Sequence, residues 1–318
     1  MSDGAAKRGM ARSKNWTLMD PVNQVMIVRG ETRAESGVSM IRRTGKVLLT
    51  SPATQALLEW AEGWLPPLRY LHTRLYEREF ARVVPWARRF FGVYATFEDA
   101  MRAAPAGKPI GYDNPAAASF MQPSAALMPS DYPVLFWLEK ALADSPILVD
   151  IGGYVGISYY GYRNYITYPE NLEWIIHDVP AVAKAGAEIA RHQESRGLSF
   201  NTEITSDLRP QSVLAAGSLQ CIEQNFPDLL MRMGTLPANI ILNKTPLTDL
   251  PEFVTLQDLG PAVCPYRIFN RAKFIHSIES LGYCLVDSWA NLDFSCRIPF
   301  YPDRTIPMYS GLYFKRRK

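Results

Sequence analysis

The second half of the chain alternates short apolar runs with stretches in which apolar residues recur every three or four positions. Strands joined by helices in this way are typical of a parallel sheet covered by helices on both faces. No helical pattern separates the last two apolar runs, so one of these strands is expected to run antiparallel to its neighbour. The predicted strands are 147–151, 172–178, 198–204, 212–219, 238–244, 283–289 and 308–316, and the predicted helices are 154–165, 180–195, 223–233 and 270–281.

The first half of the chain has a different pattern. Leucine and aromatic residues between 51 and 91 recur at helical spacing, and Pro66-Pro67 divides this stretch into two predicted helices, the second running from Leu71 to Phe91. A further helix is predicted over 132–142. We therefore expect a flexible tail over 1–35, a helical region over 36–145 for dimerisation or as a lid, and an α/β domain over 146–318.

The aromatic, basic face of the predicted helices at 51–91 indicates a partner. A second copy of the chain is the first candidate, which predicts a homodimer through the N-terminal helices. A helix lying on a membrane surface is the alternative.

Composition narrows the class of protein. A net charge of +3 is too balanced to favour nucleic-acid binding. Four cysteines without CxxC or metal spacing indicate reduced thiols, a cytoplasmic protein and no metal. No apolar run approaches the roughly 20 residues that span a bilayer.

Candidate chemistry begins at the end of the first predicted α/β strand. Asp150 is followed by Gly152, Gly153 and Gly156, a strand-to-helix turn in which the backbone can approach a ligand closely. Tyr154 occupies the third position of the G-x-G-x-x-G pattern, so the dinucleotide fingerprint fails. An acid before the first glycine suits an amino-bearing ligand better than a pyrophosphate, although a plain tight turn is the alternative.

A second carboxylate, Asp178, follows the next predicted strand. A carboxylate at this place can accept two hydrogen bonds from a ribose diol. It also precedes Pro180 at a predicted helix start, where it could cap the helix.

Together these two segments resemble the class I S-adenosylmethionine-dependent methyltransferases. The likeness is closer to a methyltransferase family found among bacterial surface-polysaccharide and biosynthetic genes, and it extends from about Gly92 to the end of the chain. The blocks that carry it are GVYATFEDA (92–100), GYDN (111–114), DIGGYVG (150–156), HDVPAV (177–182), AAGSLQ (215–220), NKTPL (243–247), Gln257, YRIFNR (266–271), GYCLVDSW (282–289) and GLYFKR (311–316).

The resemblance implies a Rossmann-like, seven-stranded methyltransferase sheet that binds S-adenosylmethionine and releases S-adenosylhomocysteine, without a metal. Position by position, it implies that Asp150, Gly152, Gly153 and Gly156 hold the methionine moiety and its amine. It places Asp178 at the ribose, Asn201 or Asp207 near the adenine, and Ser218, Leu219 and Gln220 beside the transferred methyl group.

The acceptor side is less defined by the sequence. His276 is the candidate general base by residue type, although a structural histidine fits its apolar neighbours equally well, and Gln220 and Tyr266 are further catalytic candidates. The His-Asp pair of O-methyltransferases after the fourth strand and the N-P-P-Y motif of amino-methyltransferases are both absent. The candidate acceptor-binding residues are Tyr112, Asp113, Tyr159, Asn243, Gln257, Asp258 and Asn270.

The predicted reaction is methyl transfer to a small molecule in a bacterial biosynthetic pathway. The acceptor is an amine or guanidine, such as arginine, or a sugar hydroxyl. Carboxylates at Asp113 or Asp258 that face the acceptor would favour a cation, and their absence from the pocket would favour a sugar. The alternatives are a non-catalytic scaffold on the same fold and a nicotinamide-dependent oxidoreductase, which Tyr154 disfavours.

Overall fold

The computed structural model describes residues 66–84, 87–120 and 126–317. The predicted tail over 1–35 and the helical pattern over 51–65 lie outside these residues. The helices are α1 (Pro66–Phe80), α2 (Phe97–Arg102), α3 (Pro115–Ala118), α4 (Tyr132–Asp144), α5 (Ile157–Tyr162), α6 (Pro180–His192), α7 (Phe226–Met231) and α8 (Arg271–Glu279). The strands are β1 (Arg89–Tyr94), β2 (Ile147–Ile151), β3 (Glu173–His177), β4 (Leu198–Asn201), β5 (Ser212–Ala216), β6 (Asn239–Thr245), β7 (Leu247–Thr248), β8 (Phe253–Asp258), β9 (Val263–Asn270), β10 (Tyr283–Asn291) and β11 (Tyr309–Arg316).

Seven of these strands form one sheet in the order β10-β11-β6-β5-β2-β3-β4. Pairing is parallel from β4 to β6, and β11 runs antiparallel to both β6 and β10. Numbered along the chain, the strands of this sheet follow the order 3-2-1-4-5-7-6 with an antiparallel seventh strand. This is the methyltransferase type of sheet, so the predicted fold class and the antiparallel strand are confirmed.

The central strand β2 explains why both faces of the sheet are covered. Its side chains alternate between two apolar clusters: Val149 and Ile151 pack with α7 and α8, and Leu148 packs with α4 and α5. A parallel strand buried on both faces has the continuous apolar run that predicted it. Asp150 interrupts that run on the Leu148 face.

The first half of the described chain is not helical throughout, and the predicted continuation of helix to Phe91 is wrong. Helix α1 ends at Phe80, and Arg89–Tyr94 forms β1, which pairs antiparallel with β8. The aromatic and β-branched residues of this strand alternate between buried and half-buried positions, as a sheet requires.

A second sheet in the order β1-β8-β9-β7 was not predicted from the sequence. The segment from Leu247 to Asn270, which follows β6, contains three of its strands. This segment leaves from the carboxyl end of β6, so the second sheet stands at the carboxyl edge of the seven-stranded sheet. Tyr266 of β9 donates a hydrogen bond to Tyr309 of β11, 2.9 Å between the hydroxyl oxygens, and the two side chains join the sheets in one apolar cluster.

A buried ion pair fastens the second sheet to the end of α1. Asp258 is fully buried, and its Oδ1 lies 2.7 Å from the ammonium of Lys108, whose side chain is also fully buried. Arg89 donates to Asp258 Oδ2 at 3.0 Å. The Lys108 ammonium also donates to the carbonyl of Phe80 at 3.3 Å and to that of Arg82 at 3.1 Å. The candidate acceptor residue Asp258 is therefore a structural carboxylate.

Lys108→Met should destabilise the protein by about 3–5 kcal/mol, because it removes one of the two cations paired with the buried Asp258 carboxylate and the donor to two backbone carbonyls. Urea unfolding measures this free energy. The matched control is Glu98→Gln, which removes an exposed ion pair of 4.0 Å with Arg102 and should cost less than about 1 kcal/mol. Equal costs for the two variants would contradict the structural role of Lys108.

Candidate functional site

The predicted cofactor residues meet at the carboxyl edge of the sheet. The turn after β2 contains Gly152, Gly153 and Gly156, and the backbone N–H of Gly152 donates to the carbonyl of His177 at the end of β3, 2.7 Å away. The turn after β5 lies against it, because Ser218 Oγ donates to the carbonyl of Ile151. In parallel strands the carboxyl ends share one edge, so this meeting follows from the topology.

Glycine is required in the turn after β2 for two reasons. Gly152 and Gly156 have φ values of +66° and +98°, which side-chain-bearing residues rarely adopt. A Cβ atom on Gly153 would lie 2.5 Å from Asp150 Oδ2, so only glycine leaves room for the carboxylate beneath the turn.

Asp150 is the most perturbed acid of the site. Its side chain is fully buried, Oδ2 accepts a hydrogen bond of 3.1 Å from Trp174 Nε1, and Oδ1 has no partner among the described residues. Burial raises the pKa of Asp150 to about 7. A buried carboxylate oxygen without a hydrogen-bond donor is unfavourable. Its position under a glycine turn therefore indicates a ligand that supplies the donor.

Asp178 lies beside the same turn. Its Oδ2 accepts from the backbone N–H of Tyr154 and its Oδ1 from that of Val179, both at 2.8 Å. Burial raises its pKa to about 6, which the two backbone hydrogen bonds partly offset. Asp178 does not cap α6: the cap residue is Val179. The first turn of α6 instead receives a carboxylate from a distant segment, because the N–H of Ala181 donates to Asp113 Oδ1 at 2.8 Å.

Of the two candidate adenine residues, only Asn201 lies at this edge. It ends β4, and its Oδ1 lies 3.3 Å from Nδ1 of His177, whose pKa is lowered by burial. Asp207 is exposed in the connection between β4 and β5, which returns the chain to the amino edge of the sheet. The structure therefore does not bring Asp207 to the site.

After β5, the candidate methyl-transfer residues have different surroundings. Leu219 is buried in an apolar cluster of the sheet, and Gln220 is also buried, with only 3% of its surface exposed. Gln220 Nε2 lies 3.9 Å from where a Cβ atom on Gly217 would be. Gln220 is therefore placed beside the turn, whereas Leu219 is part of the core.

Two acceptor candidates contact each other at the second sheet, which the sequence did not predict. Tyr112 donates its hydroxyl proton to Oε1 of Gln257 on β8, at 3.2 Å. Gln257 is buried, and Tyr112 is half-buried.

The remaining acceptor candidates have internal partners. The hydroxyl of Tyr159 donates to the carbonyl of Arg196, and its ring packs in the core. Asn270 caps α8 by accepting from the N–H of Lys273 at 3.0 Å. Asn243 is fully buried and uses both ends of its amide within the protein. Asp113 and Asp258 likewise have partners within the protein.

Two of the three catalytic candidates lie away from the glycine turn or have an internal partner. His276 is on the exposed side of α8, in the half of the helix that leads to the start of β10, and β10 begins at the edge opposite the glycine turn. Tyr266 is buried among apolar side chains with its hydroxyl on Tyr309, and burial raises its pKa well above the ordinary value. Neither is placed to take a proton at the carboxyl edge.

Sequence reasoning did not predict a partly buried ion pair at this edge. The ammonium of Lys244, at the end of β6, lies 3.0 Å from Asp131 Oδ1, which also accepts from Tyr162 at 3.2 Å. Lys244 has a left-handed backbone, with φ of +56°, and its Cβ lies 3.4 Å from where a Cβ on Gly217 would be. Strained residues of this kind cluster at functional sites. In the sequence, Lys244 is only the last residue of the predicted strand 238–244, and no pattern connects it with Asp131.

The described residues contain no group of three or more His, Cys, Asp or Glu side chains that could hold a metal ion. Within the same residues, no helix is both long enough and apolar enough to cross a bilayer.

The chain matches no protein-family model. Its sequence also matches no curated protein. Among solved structures, it is similar to the 1,6-didemethyltoxoflavin N1-methyltransferase of Burkholderia thailandensis, with 15% identity, a TM-score of 0.40, and 60% of this chain and 79% of that chain covered. The CcbJ methyltransferase of Streptomyces caelestis has 14% identity and a TM-score of 0.40, with 65% and 98% covered. The magnesium protoporphyrin IX methyltransferase of Synechocystis has 13% identity and a TM-score of 0.37, with 58% and 79% covered. At these values the likeness carries no argument about activity, and the fold assignment rests on the strand order described above.

Asp150→Asn should raise the free energy of unfolding at pH 8 by roughly 1–3 kcal/mol, and the gain should shrink as the pH falls and disappear only below about pH 4. The folded pKa of about 7 exceeds the ordinary value of 3.8, so the folded state binds the proton more tightly than the unfolded state. Its stability therefore falls as pH rises from about 4 to about 7, and asparagine removes that loss. Urea unfolding at both pH values measures the difference, and a pH-independent difference would show that Asp150 does not titrate in this range.

Proposed function

We propose that this chain is an S-adenosylmethionine-dependent methyltransferase that acts on a small-molecule acceptor. The observation that carries the proposal is Asp150, whose buried Oδ1 has no donor among the described residues and lies beneath a turn that only glycine can form. An ammonium group, such as that of the methionine moiety of the cofactor, would supply the missing donor and a compensating charge.

The residues of the site fit the rest of the cofactor. Asp178 keeps lone pairs free beyond its two backbone donors, so its carboxylate can also accept from a ribose diol. Asn201 and His177 end the adjacent strands on the side where the adenine would extend. Gln220 and the turn at Gly217 lie on the other side of β2, where the reacting group would be.

When bound, S-adenosylmethionine supplies a methyl group activated by a sulfonium. The methyl carbon bonds to the acceptor as its bond to sulfur breaks, and sulfur keeps the electron pair of that bond. The protein then needs mainly to orient the acceptor and exclude water. We propose that Gln220 orients the acceptor at the turn after β5, and that Tyr112 and Gln257 contribute from the second sheet. We propose that the pair of Lys244 and Asp131, beside this turn, handles the acceptor proton.

For the acceptor, we favour a sugar hydroxyl over an amine or guanidine such as arginine. The two carboxylates expected to attract a cation are both occupied: Asp258 by Lys108 and Arg89, and Asp113 by the N-terminus of α6. A sugar acceptor agrees with the polysaccharide and biosynthetic genes implied by the resemblance.

The two alternative classes of protein would differ in the ligands that they bind. A nicotinamide-dependent oxidoreductase would bind NADH, although Tyr154 stands where its fingerprint requires glycine. A non-catalytic scaffold would bind neither cofactor.

We also propose a homodimer through the N-terminal helices. In α1, Tyr70, Leu71 and Leu75 are half or more exposed, which supports an apolar contact with a partner surface. Light scattering of the full chain tests this: a mass of about twice 35.8 kDa is expected, and a monomer at all concentrations would contradict it.

Calorimetric titration with S-adenosylhomocysteine, S-adenosylmethionine and NADH tests the function. Micromolar binding of the first two is expected, and Asp178→Ala should weaken it at least tenfold through loss of charge-assisted hydrogen bonds. Asp207→Ala, an exposed acid away from the edge, is the matched control and should bind as the original protein does. Binding of NADH alone, or of none of the three, would overturn the proposal.

The affinity for S-adenosylhomocysteine should increase about tenfold between pH 6 and pH 8, because Asp150 with a pKa of about 7 must lose its proton to pair with the amine. Titrations at several pH values measure this slope. In Asp150→Asn most of the slope should disappear, and a slope that persists unchanged would assign the titration to another group.

A further inference from the structure

A short strap crosses from the second sheet to the glycine turn. We define the strap as residues 109–120, which include α3. At its first end, the N–H of Gly111 donates to the carbonyl of Val263 on β9 at 2.8 Å, and the N–H of Val263 returns a hydrogen bond of 2.9 Å to the carbonyl of Pro109. Tyr112 adds its contact to Gln257. This end of the strap is therefore a fixed extension of the second sheet.

The second end of the strap lies on the methyltransferase sheet. Asp113 accepts from the N–H of Ala181 in the first turn of α6, where the helix dipole favours a negative charge. Ala118 packs against Val155 of the glycine turn and Val182 of α6. Asp113 is exposed, and α3 is only four residues long, so this end rests on few contacts.

Tyr154 joins the strap to the site. Its backbone N–H donates to Asp178, the carboxylate assigned to the ribose, and its side-chain hydroxyl donates to the carbonyl of Ala117 in the strap. Its φ of +55° is a left-handed conformation that costs a non-glycine residue roughly 1 kcal/mol or more. The two hydrogen bonds hold it there.

We infer that Tyr154 is a latch that couples closure of the strap to cofactor binding. The inference rests on the proposed function. The strap lies against the glycine turn and the start of α6, so a cofactor held by Asp150 and Asp178 is covered by it and leaves only when it opens. Because one residue contacts both Asp178 and the strap, ordering of either contact favours the other. Tyrosine thus stands where a dinucleotide site has glycine because its hydroxyl fastens the strap.

The dissociation rate of S-adenosylhomocysteine tests this inference by a readout other than activity. Bound ligand is displaced by excess S-adenosylmethionine in stopped flow, with tryptophan fluorescence as the signal. Tyr154→Phe keeps the ring and removes the hydroxyl, and it should release the ligand about fivefold faster, the factor expected for one lost hydrogen bond. Asp113→Ala loosens the other fastening and should act in the same direction, which keeps the test valid if one variant folds poorly.

The matched control is Tyr283→Phe. The hydroxyl of Tyr283 donates to the carbonyl of Pro237 at 2.7 Å, a buried bond of the same kind at the opposite edge of the sheet. This variant should lose stability without any change in the dissociation rate. If the hydroxyl of Tyr154 had only a structural role, Tyr154→Phe would also lose stability without a change in the dissociation rate.

Hydrogen exchange over the strap provides the second measurement. In the original protein, S-adenosylhomocysteine should slow exchange of the amides between Gly111 and Ser119 several-fold, and in Tyr154→Phe this protection should be largely lost. Unchanged dissociation and unchanged protection in both variants would overturn the latch while leaving the proposed function intact. Failure of the original protein to bind S-adenosylhomocysteine at all would overturn both.

Discussion

The site depends on one buried carboxylate, Asp150, of whose two oxygens only one has a hydrogen-bond donor in the part of the chain that the structure describes. Asp150 is the second-last residue of β2, an interior strand of a sheet covered on both faces, so it is removed from water by the same packing that makes the sheet stable. Trp174 provides one donor, and the glycine turn closes over the carboxylate with no room for a side chain. Burying a charge in this way is costly unless a partner arrives, which is why burial raises the pKa of this acid. This arrangement gives a physical reason for the glycines, for the second carboxylate Asp178 and for the proposed cofactor amine.

The second sheet and the strap define the surroundings of that carboxylate. The insertion after β6 begins and ends at the carboxyl edge, so the chain itself covers the edge where the polar side chains meet. The ion pair of Asp258 and Lys108 holds the second sheet, and the contacts of Tyr154 and Asp113 fasten the strap to the sheet below. A site enclosed by its own chain excludes water, as a sulfonium methyl donor requires.

Most of the seven-stranded sheet could be predicted from the sequence because its signals are local. The apolar run at 147–151 is β2 to the residue, with Asp150 inside it, and the glycines that follow form the turn. The second sheet was missed because β1 and β8 pair across more than 150 residues, and the aromatic residues of 89–94 satisfy helical spacing and strand alternation alike. Spacing also cannot show that the carboxylate of Asp258 meets Lys108, or that Asp113 caps a helix 68 residues away. The structure therefore brings together Asp150 and Asp178, which were chosen by their position in a turn. It does not bring His276, which was chosen by residue type, to the same turn.

The central claim is that the unpartnered oxygen of Asp150 receives the amine of the cofactor. A double-mutant cycle tests it most directly: the affinities of S-adenosylhomocysteine and of its analogue without the amino group are measured for the original protein and for Asp150→Asn. The account predicts that removal of the amine costs at least tenfold in affinity in the original protein and almost nothing in Asp150→Asn. An equal loss in both proteins would show that the amine binds elsewhere, and it would contradict the account.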